Sequence, residues 1–173
     1  MHQNRFLLVL LAILLSGCGS SKMSVTRNPQ MSVQIVSRLA IAPGSGVLGE
    51  ALAVELFNSG IKIVDAKETS TMIGRVGLQE FEITSAQGYA ALRKSGIEAV
   101  LAVKSVDAKD GTPESASVRI TSTASGEILA GITWQNGWGG QRGSIADRTM
   151  RMNLSEAARE IAGEIMNRIR GPR

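Results

Sequence analysis

The chain of 173 residues has few of the side chains that most catalysis and metal binding require: one His, one Cys, one Tyr and two Trp, with aromatics at 3%. His2 lies ahead of the first apolar run, so the body of the protein has no imidazole. That excludes Ser-His-Asp and Cys-His nucleophilic catalysis, His-based zinc sites and His pH switching there. A single Cys excludes an intramolecular disulfide and a Cys-rich zinc site. Residues 18–141 hold 11 Lys/Arg against 11 Asp/Glu, and residues 142–173 hold 7 Arg against 4 acids. With Arg5, these give the net charge of +4, so the pI near 9.6 reflects an Arg-biased tail. A nucleic-acid partner is not expected, because it would require interleaved aromatics and a larger basic excess.

What is there begins with export. Residues 1–5 carry one positive charge, Phe6 to Leu15 is unbroken apolar sequence, and Leu15-Ser16-Gly17-Cys18 follows. A basic start, a short apolar run and small residues before a cut site form a secretory signal peptide, too short to span a bilayer. Leu-Ser-Gly-Cys resembles the lipobox of bacterial lipoproteins, which implies cleavage between Gly17 and Cys18 and a diacylglyceryl group on the Cys18 thiol. Each acyl chain adds roughly 0.8 kcal/mol per buried CH₂, and two or three anchor stably. Under the sorting rule known for enterobacterial lipoproteins, Gly19 rather than Asp after the Cys implies the outer membrane. The expected location is therefore its periplasmic face. Cleavage leaves 173 − 17 = 156 residues.

Residues 18–32 are small, polar and aperiodic and predict a lipidated tether. The domain is expected over residues 33–173. Val33 to Ala42 reads as a strand ended by Pro43, and Val47 to Asn58 has the apolar spacing of a helix closed by Gly60. Ile61 to Asp65 is a short strand. Thr69 or Ser70 is expected to cap a helix to about Val76, and Ser85 another from Ala86 to Lys94. Ala99 to Val106, Ser115 to Thr123 and Glu127 to Trp134 read as strands, the last two forming a hairpin about Ser125-Gly126. Asn153-Leu-Ser-Glu156 has the form of a capping box opening a final helix. The order βαβααβββα predicts an α/β domain: a mixed parallel and antiparallel sheet of about five strands flanked by helices.

Gly44-Ser-Gly46-Val-Leu-Gly49 is a literal G-x-G-x-x-G between strand and helix, with Asp65 ending the next strand. Pyrophosphate on the helix N-terminus and ribose on the acid would be the chemistry. The hairpin-rich remainder lacks the further parallel units of a dinucleotide fold, and exported proteins do not meet soluble nicotinamides. A glycine turn into a closely packed helix is the favoured reading, and no cofactor is expected. Glu80 and Glu82 alternate with Phe81 and Ile83 and are expected on one solvated face, without the contrasting environments of an acid–base pair. Ser45 and Lys104 have no partner that would activate them. Met72, Met152 and Met166 fit core filling rather than a metal site.

Several segments together are similar to one family. Arg38-Leu-Ala-Ile-Ala-Pro43, the run from Gly49 to Asp65, the helix and strand from Gly88 to Val103, and the hairpin Val118 to Leu129 with its Ser-Gly-Glu turn follow in the family's order and spacing. They resemble the CsgG-like superfamily of outer-membrane lipoproteins, the group of CsgG, PelC, LpoB and FlgO, with a TolB-N-like fold. Ala66-Lys67 departs from the usual Arg after the acid. The resemblance implies a periplasmic α/β domain that acts by binding proteins, often as a homo-oligomeric ring. The pair of alternating segments that a membrane hairpin needs is absent from the sequence, so an autonomous pore is not expected.

Trp134 and Trp138 flank Gln135-Asn136-Gly137 at the head of a Gly-rich loop, and Arg142, Arg148 and Arg151 follow. Trp134, Trp138, Arg142 and Arg148 are the candidate contacts with a partner or with lipid, where Trp is favoured. The function expected is that of a non-enzymatic accessory subunit of an envelope export or assembly machine of curli, exopolysaccharide or flagellar type. An activator of a peptidoglycan synthase and a small-ligand or nucleotide-binding protein stay open as alternatives.

Overall fold

The computed structural model describes residues 21–26, 36–137 and 144–169, with the backbone alone at Arg148 and Thr149. Its six strands are β1 (Lys22–Thr26), β2 (Arg38–Ile41), β3 (Lys62–Val64), β4 (Ala99–Asp107), β5 (Pro113–Ser122) and β6 (Ile128–Gln135). They form one sheet in the order β1-β6-β5-β4-β2-β3. The helices are α1 (Gly46–Asn58), α2 (Ala66–Gly74), α3 (Ala86–Lys94), α4 (Ile145–Met150) and α5 (Leu154–Ile169), with a 3-10 turn at Glu80–Thr84. β3 and β4 run parallel to β2 on either side, as the helical connections require; β4, β5, β6 and β1 alternate in direction. The α/β class and mixed sheet are as the sequence predicts.

The strand count is six rather than five, because part of the expected tether pairs with β6. In Lys22-Met23-Ser24-Val25-Thr26, Met23 and Val25 pack against the core while Lys22, Ser24 and Thr26 are exposed. That period of two suits a strand, and pairing removes the open edge β6 would otherwise present. β1 is in register from Lys22↔Gln135 to Thr26↔Gly131.

Side-chain alternation sorts the core into two layers. On one face, Leu39, Ile41, Leu101, Val103, Val118, Ile120, Ile132 and Trp134 meet α1 through Leu48, Leu52 and Leu56, and α5 through Ile161, Ile165 and Ile169. On the other, Ala40, Val64 and Val100 meet α2 through Ile73, α3 through Leu92, and the 3-10 turn through Ile83. Met152 and Met166 fill gaps in the first layer and Met72 in the second.

Two local expectations change. α2 begins at Ala66, capped by Asp65, whose carboxylate accepts the Glu68 N–H at 2.7 Å; Thr69 is already within the helix, its hydroxyl donating to the Asp65 carbonyl. Glu80 to Thr84 is a 3-10 turn rather than an alternating segment: Gln79 N–H donates to the Glu82 carboxylate at 2.8 Å and Phe81 is 81% exposed. Gly88 lets α3 approach that turn, since a Cβ there would lie 2.4 Å from the Glu82 carbonyl oxygen. Ser85 caps α3 by accepting the Gly88 N–H, and Asn153 and Glu156 form the expected capping box of α5.

Candidate functional site

Gly17, Cys18, Trp138 and Arg142 lie outside the described residues, as does the side chain of Arg148. Trp134 is described, and it is no surface contact: only 1% of it is exposed, because its position in β6 turns it onto the α5 face of the sheet. Its indole Nε1 donates to Glu160 Oε2 at 2.6 Å, so the aromatic anchors core rather than a partner. The loop after β6 is held by Asn136, which donates to the Pro113 and Met152 carbonyls and accepts from the Gly137 and Met152 N–H groups. Arg151 lies half-buried between Asp147, at 3.2 Å, and Glu114, at 3.6 Å, fixing α4 to the start of β5.

The Gly44–Gly49 loop has a structural use for its residues. Gly44 and Gly46 have φ of 77° and 65°, the left-handed turn that brings the chain from β2 into α1. Ser45 is 4% exposed; its hydroxyl donates to the Ala42 carbonyl and accepts the Val103 N–H. A Cβ at Gly49 would meet Ser45 Cβ at 2.4 Å. Asp65 is committed to its cap. The motif's hydroxyl and acid thus serve the fold.

The carboxylates whose pKa values move are structural too. Burial pushes Glu98 up, but the Ser37 N–H and hydroxyl, the Arg38 N–H and the charge of Lys62 together hold it below the ordinary range. Those bonds tie the entry of β2 to the entry of β4. Asp110 is lowered by the Thr112 N–H within a turn. Among the described residues no His, Cys, Asp or Glu cluster could hold a metal, and no helix is long and apolar enough to cross a membrane.

What the helices leave open is half of the second sheet face. α2 and α3 cover β3, β2 and the start of β4, but not β5, β6 and β1. Three rows cross the four strands: Val106–Ser115–Gln135–Lys22, Lys104–Ser117–Thr133–Ser24, and Ala102–Arg119–Gly131–Thr26. The floor is small and hydroxylic, flanked by Lys22, Lys104 and Arg119, with Ile128 exposed at one margin. Lys104 and Arg119 make no ion pair among the described residues. Shallow grooves run across these strands. The signal for this surface was the alternation of Ser117, Arg119 and Thr121 in β5; which face the helices would cover depended on chain connections that periodicity does not encode.

No family model matches the chain, and no curated protein matches it in sequence. Similar solved structures include the PelC dodecamer from Paraburkholderia phytofirmans, at 13% identity and a TM-score of 0.49 over 89% of this chain and 100% of that one. A single-substitution variant of the same dodecamer shows 14% identity and a TM-score of 0.47, over 88% of this chain and 100% of that one. Lipoprotein GNA1162 from Neisseria meningitidis shows 16% identity and a TM-score of 0.47 over 76% of this chain and 97% of that one.

Proposed function

We propose that the protein is a lipoprotein of the bacterial envelope, anchored to the periplasmic face of the outer membrane, that binds other envelope proteins and copies of itself and performs no chemistry of its own. Its role would be that of an accessory subunit of an export or assembly machine, as the CsgG-like resemblance implies. The observation that carries this reading is Leu15-Ser16-Gly17-Cys18 directly after the apolar run Phe6 to Leu15.

Two structural facts support it. Three of the polar side chains weighed for chemistry in the sequence are engaged in the fold: Ser45 in the α1 entry, and Asp65 and Glu82 in caps. β1 begins at Lys22, so the chain between Cys18 and the sheet spans at most about 14 Å even fully extended. An anchor that short keeps the domain against the bilayer. It disfavours the synthase-activator alternative, which has to reach far from the membrane to its partner.

The test is the native product and its Cys18→Ala variant. Mass spectrometry should find the mature chain starting at Cys18 with acyl groups, and fractionation should place it with the outer membrane. Cys18→Ala should retain its leader and lose the acyl mass. An unmodified thiol on the native product overturns the proposal.

A further inference from the structure

The exposed side of α1 is the counterpart of the open sheet face. Helices that cover a sheet normally turn polar residues outward, but α1 exposes Val47, Val54 and Phe57, which are 66%, 58% and 66% accessible. With Glu50 they fall at intervals of three and four residues, forming one stripe directly opposite the buried Leu48, Leu52 and Leu56. α1 has two charges, Glu50 and Glu55, both negative, and neither makes an ion pair among the described residues.

We infer that α1 of one copy docks on the open face of β4, β5, β6 and β1 of a second copy. The dimensions agree: the ten residue-to-residue rises of helix from Val47 to Phe57 extend about 15 Å, and three inter-strand spacings across four strands measure about 14 Å. The charges agree as well. An apolar stripe carrying Glu50 meets a floor bearing Lys22, Lys104 and Arg119, each side lacking ion-pair partners among the described residues at these charges. The floor of Ser117, Thr133, Gly131 and Ala102 is small enough to admit Phe57 and the valines, and exposed Val106 and Ile128 give them apolar contact. Each copy would thereby gain the helix layer that its own chain does not supply.

Because α1 packs on the first sheet face and the docking floor is the second, the two surfaces lie on opposite sides of the domain. The contact is therefore head-to-tail. Repetition gives a ring if the rotation per copy closes and a filament if it does not. The inference rests on the envelope reading above, to which it adds the self-association surface.

The test uses the full lipidated protein in detergent. Wild-type chain should sediment as an oligomer. Val54→Lys should weaken assembly by about tenfold or more in dissociation constant, and Glu50→Lys should likewise favour monomers, with Lys104→Glu in the same chain restoring the oligomer. Both sites are exposed, and unchanged far-UV circular dichroism verifies folding. Mixing Val54→Cys chains with Ser117→Cys chains should give a mixed disulfide dimer, which one chain cannot form within itself. A monomeric wild type, an oligomer indifferent to Val54→Lys, or disulfides only between like copies would overturn the interface. A monomer that still carries its lipid and fractionates with the outer membrane leaves the anchor reading intact, whereas a missing lipid overturns that reading whatever the mass.

Discussion

The indole of Trp134 in β6 donates to the carboxylate of Glu160 in α5 at 2.6 Å, and the other oxygen of that carboxylate accepts the hydroxyl of Ser21 just before β1. One side chain therefore joins the last strand, the last helix and the first described segment. Trp134→Phe should cost about 1–3 kcal/mol by leaving a half-buried acceptor short of a donor. Trp134→Ala should cost roughly 3–5 kcal/mol because a cavity is added. Glu160→Gln, which keeps an oxygen acceptor, should cost less than Glu160→Ala. Urea midpoints of the four variants give the order directly.

Asn136 uses all four of its hydrogen-bonding positions while 8% exposed. Asn136→Asp should be worse than Asn136→Ala, since it aims carboxylate oxygens at the Pro113 and Met152 carbonyls. A loss on the order of 3 kcal/mol or more is expected for the buried unpaired charge. Thermal melts above and below the carboxylate range separate the two variants: acid should narrow the gap, because a protonated Asp regains one donor.

Glu98 has a folded pKa below its ordinary value, so its share of stability is present above that value and disappears as pH falls through the lowered one. Wild-type chain should consequently lose more stability between pH 6 and roughly pH 3 than Glu98→Gln does. Equal slopes in paired denaturant titrations would show that the bonds from Ser37 and Arg38 contribute nothing dependent on charge.

Two glycines in helices should respond oppositely to alanine. At Gly88 the new methyl meets the backbone of Glu82 and Ile83 at 2.4–2.6 Å, so Gly88→Ala should separate α3 from the 3-10 turn and destabilise. At Gly163, on α5, nothing lies within 4 Å, so Gly163→Ala should stabilise by about 0.5–1 kcal/mol. Melting temperatures moving in the same direction for both would refute this.

Calorimetry with NAD or ATP should give no heat at millimolar ligand. The Ser45 hydroxyl within the loop is held by Ala42 and Val103, and Asp65, the acid a ribose would need, caps its helix through the Glu68 N–H. Saturable heat would revive the nucleotide alternative.

Most of the layer order was legible because it follows from short-range chemistry. The spacing of Leu48, Leu52 and Leu56, the cap at Ser85 and the alternation through Val118 and Ile120 each act within a few residues. The misreadings came where distant chain decides. Lys22 to Thr26 alternates over only five residues, and a strand that short is fixed by finding β6, more than a hundred positions on. Trp134 stood out as a rare aromatic beside a Gly-rich loop, yet its parity within β6 directs it to the core. Glu80 and Glu82 showed a period of two over too few residues to distinguish a strand from a tight turn. The open sheet face was missed for a related reason: β5 alternates in the same way whether its polar side meets water or a neighbour.

The pairing of β1 with β6 also orders events in time. Ribosomes release the Met23 segment long before its register partner Trp134 exists, and the closing of so large a loop is slow and entropically costly. The first described strand is thus made before the strand that seats it. Until residues 128–135 emerge, Lys22 to Thr26 has no strand to pair with, and a chaperone engaging this chain would have its longest opportunity there.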